Sequence, residues 1–106
     1  MTFQLGSALL DACVLAVLSR TDAYGYMLTQ SVKEVVEISE STLYPVLRRL
    51  QKEGWLTTYD QPCSGRLRRY YAITDAGRTA LAHYRTEWDI YKKQVESMLF
   101  GGYNEE

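Results

Sequence analysis

The side chains best equipped for chemistry in this chain are arginines, and they are gathered in one place. Positions 41–78 hold Arg48, Arg49, Lys52, Arg66, Arg68, Arg69 and Arg78 against Glu53, Asp60 and Asp75, a net +4 within a 106-residue chain of formal charge −1. The flanks are acidic, −3 over residues 1–40 and −2 over residues 79–106. A guanidinium offers a planar fork of donors that matches phosphate oxygens and the edge of guanine. A basic segment on a near-neutral chain therefore has the charge pattern of a polyanion-binding face. Charge runs are more often solvated surfaces, so the meaning of this one depends on the elements that carry it.

Other chemistries find less material. His83 is the only histidine and has no carboxylate or thiol at a catalytic offset, and neither a phosphate-cradling glycine loop nor a nucleophile elbow occurs. Cys13 lies in an apolar stretch and Cys63 in a polar one; neither belongs to a CxxC pair, so no metal site, disulfide framework or cofactor is expected. Cys63 could serve as a redox sensor, with nearby Arg66 favouring its thiolate, but it has no resolving partner. At 46% hydrophobic and 24% charged residues the chain reads as one globular domain. No leader-like segment opens it. Its longest apolar run, Leu9 to Leu18, is interrupted by Asp11 and is shorter than the roughly 18 residues that span a bilayer, so a cytoplasmic location without membrane contact is expected.

The elements that must hold the arginines follow from period and punctuation. Residues 6–20 predict a first helix, apolar around most of its circumference and hence covered on more than one side. Thr21 and Asp22 offer caps for a second, "AYGYMLTQSVKEVVE", with Leu28, Val32, Val35 and Val36 at helical spacing and Gly25 near its start. Ser39 or Ser41 can cap a third helix, Thr42 to Glu53, stopped by Gly54. Its stripe Leu43, Val46, Leu47 and Leu50 faces inward, leaving Thr42, Tyr44, Pro45, Arg48, Arg49 and Lys52 outside or flanking, with Pro45 about a turn from the start.

The period then becomes two. "WLTTYDQ" and "RLRRYYAI", separated by "PCSG", predict an antiparallel hairpin over 55–73, with Arg69, Tyr71 and Ile73 on the inner face and Arg66 and Arg68 free to reach outward near the loop. Thr74 caps a last helix from about Asp75 to Phe100, ended by two glycines. The fold class is mainly α with a small β-hairpin: a winged helix-turn-helix plus a long C-terminal dimerisation helix. Residues 1–74 are expected to form a winged-helix region suited to binding DNA and residues 75–106 the C-terminal dimerisation helix of one structural domain. A major groove admits one helix, Arg48 can fork onto a guanine, and Ser41 and Thr42 near the helix start suit phosphate or base contacts.

Leu81, Tyr84, Trp88, Tyr91, Val95 and Met98 repeat at three- and four-residue intervals along the last helix, the spacing of a coiled-coil seam. One copy has nothing left to cover that stripe. A second copy does, which predicts a two-fold homodimer with reading helices roughly 34 Å apart.

"STLYPVLRRLQKEGWL" followed by "GRLRRYYAITDAGR" resembles the PadR family of bacterial transcriptional regulators, and "AYGYMLTQ" fits that family's second helix; the likeness runs from about residue 7 to residue 100. The resemblance implies a dimer that binds inverted-repeat operators on double-stranded DNA and mostly represses. It places Ser41, Thr42, Tyr44, Pro45 and Arg48 in the major groove, Arg66 and Arg68 of the wing against the flanking backbone, and Tyr24 and Tyr26 near phosphates. The "PC" before "SGR" departs from the family's wings, which vary in length and composition. "TEWDIYKK" is similar to the segment of multidrug-sensing PadR members whose tryptophan stacks on planar aromatic drugs across the dimer axis. That likeness implies an effector site at Trp88, Tyr84 and Tyr91, lined from the first helix by Leu9, Ala12, Cys13 and Ala16. Two other classes compete with an operator-specific regulator: a winged-helix protein-interaction module, and a binder of aromatic small molecules without operator specificity.

Overall fold

A helix that is apolar on several sides needs cover on several sides, and α1 (Ser7–Arg20) has it. In the computed structural model, which describes residues 6–101, α1 packs against α2 (Gly25–Lys33), α4 (Asp75–Phe100) and the sheet. Val14, Leu15 and Leu18 of α1 join Leu28 and Val32 of α2, Leu43, Leu47 and Leu50 of α3 (Glu40–Lys52), and Leu81 of α4 in one core. Each such side chain contributes roughly 1.5–3 kcal/mol by leaving water.

The segment expected to be a long second helix is shorter at both ends. It opens with a two-residue strand, β1 (Ala23–Tyr24), whose residues pair with Tyr71 and Tyr70. The helix stops at Lys33, and Val35 lies exposed beyond it. A strand of two residues has no alternation to display, and the sheet is consequently three-stranded, in the order β1-β3-β2, rather than a bare hairpin. This third strand supports a ribbon that would be marginal alone.

Helix α3 starts two residues earlier than expected. Ser39 is its cap: the Oγ accepts from the Thr42 N–H at 3.4 Å and lies 3.0 and 3.1 Å from the hydroxyls of Ser41 and Thr42. Pro45 therefore stands in the second turn rather than the first. Lacking an N–H, it leaves the Ser41 carbonyl without its usual intrahelical donor, which is tolerable on an exposed face.

The hairpin is longer and its turn tighter than "PCSG" suggests. Strands β2 (Leu56–Cys63) and β3 (Arg66–Ile73) run in register from Leu56↔Ile73 to Cys63↔Arg66, so Pro62 and Cys63 belong to β2. Only Ser64 and Gly65 make the turn, at φ 54° and 79°, the left-handed pair of a two-residue hairpin turn whose twist matches the ribbon's. Pro62 is tolerated because β2 is an edge strand, where a missing donor need not break the ladder.

Thr74 links this ribbon to α4. Its Oγ1 accepts from the Gly77 N–H at 3.0 Å and donates to the Gly54 carbonyl at 2.6 Å. Helix α4 then runs for 26 residues, about 39 Å at the usual rise, and gives the molecule its 60 × 32 × 20 Å extents. Gly101, left-handed at φ 59°, ends it; the second glycine of that pair lies outside the described residues. Among the described residues no helix is long and apolar enough to cross a membrane, and no cluster of His, Cys, Asp or Glu is placed to hold a metal.

Gly77 is the tightest joint in the frame, since a Cβ there would overlap the Trp55 backbone carbonyl and the Ile73 side chain. Gly77→Ala is expected to destabilise the fold by about 1–3 kcal/mol, seen as a lower urea midpoint at unchanged slope.

Candidate nucleic-acid interface

The outer face of α3 and the inner face of the wing enclose a groove. One part, about 500 Å³, is lined by Tyr44, Arg48 and Gln51 from α3 and by Asp60, Leu67, Arg69 and Tyr71 from the ribbon. An adjoining recess of about 220 Å³ is lined by Tyr24, Gly25 and Tyr26, Glu40 and Tyr44, and Leu67, Arg68, Arg69 and Tyr71. The structure thus brings together Tyr44, Arg48, Arg68, Tyr24 and Tyr26. Ser41, Thr42 and Pro45 are exposed on α3, and Arg66 is exposed beside the turn without lining either recess.

Arg69 was missed as a site residue and lines both recesses. Alternation puts it on the inner face with Tyr71 and Ile73. That face is core only where helices cover it; toward the tip it faces the groove instead, as exposed Leu67 also shows. Tyr71 records the convergence: burial pushes its phenol above the ordinary value, while Arg69 and Arg48 both pull it back.

The side chains along the groove are held by distinct means. Tyr44 donates to Glu40 Oε2 at 3.2 Å, and burial, then the Glu40 charge, raise its phenol. A Cβ on Gly25 would stand 2.6 Å from the Tyr44 hydroxyl, so the tyrosine sits where only glycine leaves room. The Arg68 guanidinium lies 4.6 Å above the Tyr24 ring, a cation–π contact, and Tyr24 meets Tyr70 edge-on at 5.5 Å. Tyr59 stacks on Tyr70 at 5.6 Å and donates to Asp22 at 2.7 Å. The Arg69–Asp60 pair is long, 3.9 Å, and exposed, so it restrains Arg69 weakly. Arg48 has no carboxylate partner among the described residues. Its neighbour Arg49 turns the other way, onto Asp11 at 2.5 Å. Of two adjacent arginines, one is kept for the structure and one is left open.

A second cavity of about 380 Å³ opens between α1 and α4, lined by Gly6, Ala8, Leu9, Ala12, Tyr84, Glu87, Trp88 and Tyr91. Five of the seven expected effector residues meet there: Leu9, Ala12, Tyr84, Trp88 and Tyr91. Cys13 and Ala16 do not; they lie on the side of α1 that packs against the core. Glu87, missed from the sequence, adds a carboxylate to an otherwise aromatic and aliphatic wall. The Trp88 and Tyr91 rings are 6.2 Å apart, tilted by 49°. The α4 stripe divides at this point. Leu81 is buried and Tyr84 half-buried within the chain, whereas Trp88, Tyr91 and Met98 are 43%, 48% and 84% exposed.

A helix with an open arginine fork beside a basic two-stranded wing, on a helical core, defines a winged-helix DNA-binding protein. Residues 14–83 match the transcriptional regulator PadR-like family, and the chain belongs to the PadR family. It is 36% identical over 75 residues to a transcriptional regulator of Mycobacterium tuberculosis, covering 70% of each chain. A crystal structure of a Streptococcus mutans protein superposes with a TM-score of 0.91 at 38% identity and full coverage of both chains. A PadR family transcription regulator from Clostridium difficile superposes at 0.79 with 30% identity, covering 89% of this chain and 99% of its own. The protein is accordingly a DNA-binding transcriptional regulator and not an enzyme.

Two measurements probe this geometry. Gly25→Ala should displace the Tyr44 ring, the mobile end of that contact, and weaken duplex binding while shifting the melting midpoint little. The two thiols should differ in rate. The Cys63 thiol is drawn below its ordinary value by a hydrogen bond from Tyr70, then by Ser64 and Arg68 rather than by Arg66, whereas burial pushes Cys13 up. At neutral pH Cys63 is expected to alkylate about tenfold faster than Cys13, read by mass spectrometry of the labelled chain.

Proposed function

We propose that this regulator is a homodimeric repressor that reads an inverted-repeat operator and is released by a planar aromatic effector. The observation that carries the reading is the groove lined by Arg48 of α3, which has no carboxylate partner among the described residues, and by Arg69 of the wing, together with Tyr44 and Tyr71. A helix lying in the major groove would present Arg48 to a guanine edge and Tyr44 and Pro45 to neighbouring bases, with Ser41 and Thr42 at phosphates near its start. Arg66, Arg68 and Arg69 would then follow the backbone alongside, and Tyr24 and Tyr26 would approach the opposite phosphates. Phosphate contacts supply affinity and the helix face supplies choice.

Dimerisation is supported by the uncovered half of α4, where Trp88, Ile90, Tyr91, Met98, Leu99 and Phe100 remain exposed. A two-fold axis through that stripe would set the reading helices roughly 34 Å apart, one turn of DNA. The effector site is supported by the α1–α4 cavity, whose volume and aromatic walls suit a flat ligand, with Glu87 favouring a cationic one. A protein with these partners works in the cytoplasm.

Selection of bound duplexes from a random pool is expected to return a palindrome. On it, Arg48→Ala should cost about 1–3 kcal/mol and relax one base position. Arg66→Ala and Arg69→Ala should instead weaken all sequences alike and lower the salt slope by about one each. A footprint unchanged by the combined Arg48→Ala and Arg69→Ala substitutions would overturn the proposal.

A further inference from the structure

One buried charge belongs to neither the groove nor the cavity, yet it touches the elements that build both. Asp11 of α1 is 4% exposed. Its Oδ1 accepts from Arg49 Nη2 at 2.5 Å and its Oδ2 from the Tyr84 hydroxyl at 3.1 Å. Burying an unpartnered carboxylate is strongly unfavourable, so Asp11 stays inside only while both donors are held in place. The two donors come from different helices. Arg49 precedes the last buried leucine of α3 and follows Arg48 directly. Tyr84 belongs to α4, has its ring in the wall of the aromatic cavity, and is buttressed edge-on by Trp55, at 6.3 Å, just past the end of α3.

We infer that Asp11 is a positioning residue for DNA reading: its carboxylate ties the C-terminal half of α3, through Arg49, to the cavity wall on α4, through Tyr84. The inference rests on α3 being the reading helix, as proposed above. Arg49 and Tyr84 line neither recess of the groove, so their effect on DNA is indirect. While Tyr84 holds one oxygen, the other is fixed in direction and pins Arg49, and with it the backbone from which Arg48 projects. Loss or rotation of the Tyr84 hydroxyl leaves the carboxylate to re-aim at its remaining donor, and α3 loses its anchor at that end. The same tie restrains the second arginine of the pair, keeping its charge on α1 and away from the groove. Anything that turns the Tyr84 ring from the cavity side is thereby felt at Arg48, without a change in the core leucines.

The test uses the full chain, the duplex that the parent selects, and Tyr84→Phe, which removes the hydroxyl and keeps the ring. Tyr84→Phe is expected to weaken duplex binding roughly 3- to 10-fold with near-parental circular dichroism. Amide exchange across residues 43–50 should quicken several-fold, and the salt slope of binding should stay at the parent's value because no phosphate contact is lost. In an Asp11→Asn background, or in Arg49→Met should that variant fail to fold, the further effect of Tyr84→Phe is expected to fall below about twofold. Parental affinity and exchange in Tyr84→Phe, an undiminished effect in either background, or a salt slope lowered by one would overturn the inference. If the parent selects no duplex, the DNA reading fails. The exchange data and their non-additivity then decide the Asp11 link alone: faster exchange that Asp11→Asn abolishes upholds it, and parental exchange overturns it.

Discussion

Everything in this molecule is arranged around the need to cover α1. Val14, Leu15 and Leu18 are removed from water on one side, and the helix also meets α2, α4 and the sheet. The groove is built on α3 and the ribbon, of which β3 packs on α1, and the aromatic cavity on α1 itself and α4. Hydrophobic burial is not directional, so it can assemble these parts without fixing their angles. The directional contacts sit at a few joints: Thr74 between hairpin and α4, Ser39 at the start of α3, and Asp11 between three helices.

Charge is handled with similar economy. The chain as a whole is nearly neutral, and its basic middle could have been neutralised by the acidic flanks. One flanking acid does so, Asp11 on Arg49, whereas Asp22 is taken by Tyr59, Glu40 by Tyr44 and Asp89 by Lys93. Among the described residues only Asp60 reaches an arginine of the groove, at 3.9 Å and in solvent, where such a pair contributes little. Open guanidiniums are thereby left beside ordered tyrosines along the groove.

Much of this was legible in the sequence, for reasons that can be named. The apolar stripe of α3, the alternation through Ile73, the Thr74 cap and the glycine at 101 each follow a local rule, and each stands where that rule put it. What escaped was non-local or too short to show a period. Strand β1 is two residues long and exists because β3 lies beside it. Pro62 reads as a turn residue until one knows that its strand is at an edge. Arg69 and Glu87 were passed over for a shared reason: sequence gives the face a residue occupies, but not how far along that face the covering element extends. Cys13 and Ala16 lie outside the cavity for the complementary reason, since a helix apolar all round offers no phase from which to choose its cavity side. The coupling of Arg49 to Asp11 spans 38 residues, and nothing local announces it.

The sheet carries one more implication. Its two open flanks are closed to further pairing by different means: β1 is too short to template another chain, and β2 bears Pro62 near its outer end, with a charged Asp60 beside it. Long, flat, unguarded flanks invite accidental joining into extended ribbons. Here both outermost strands of the ribbon carry such a guard, β1 by its length and β2 by Pro62.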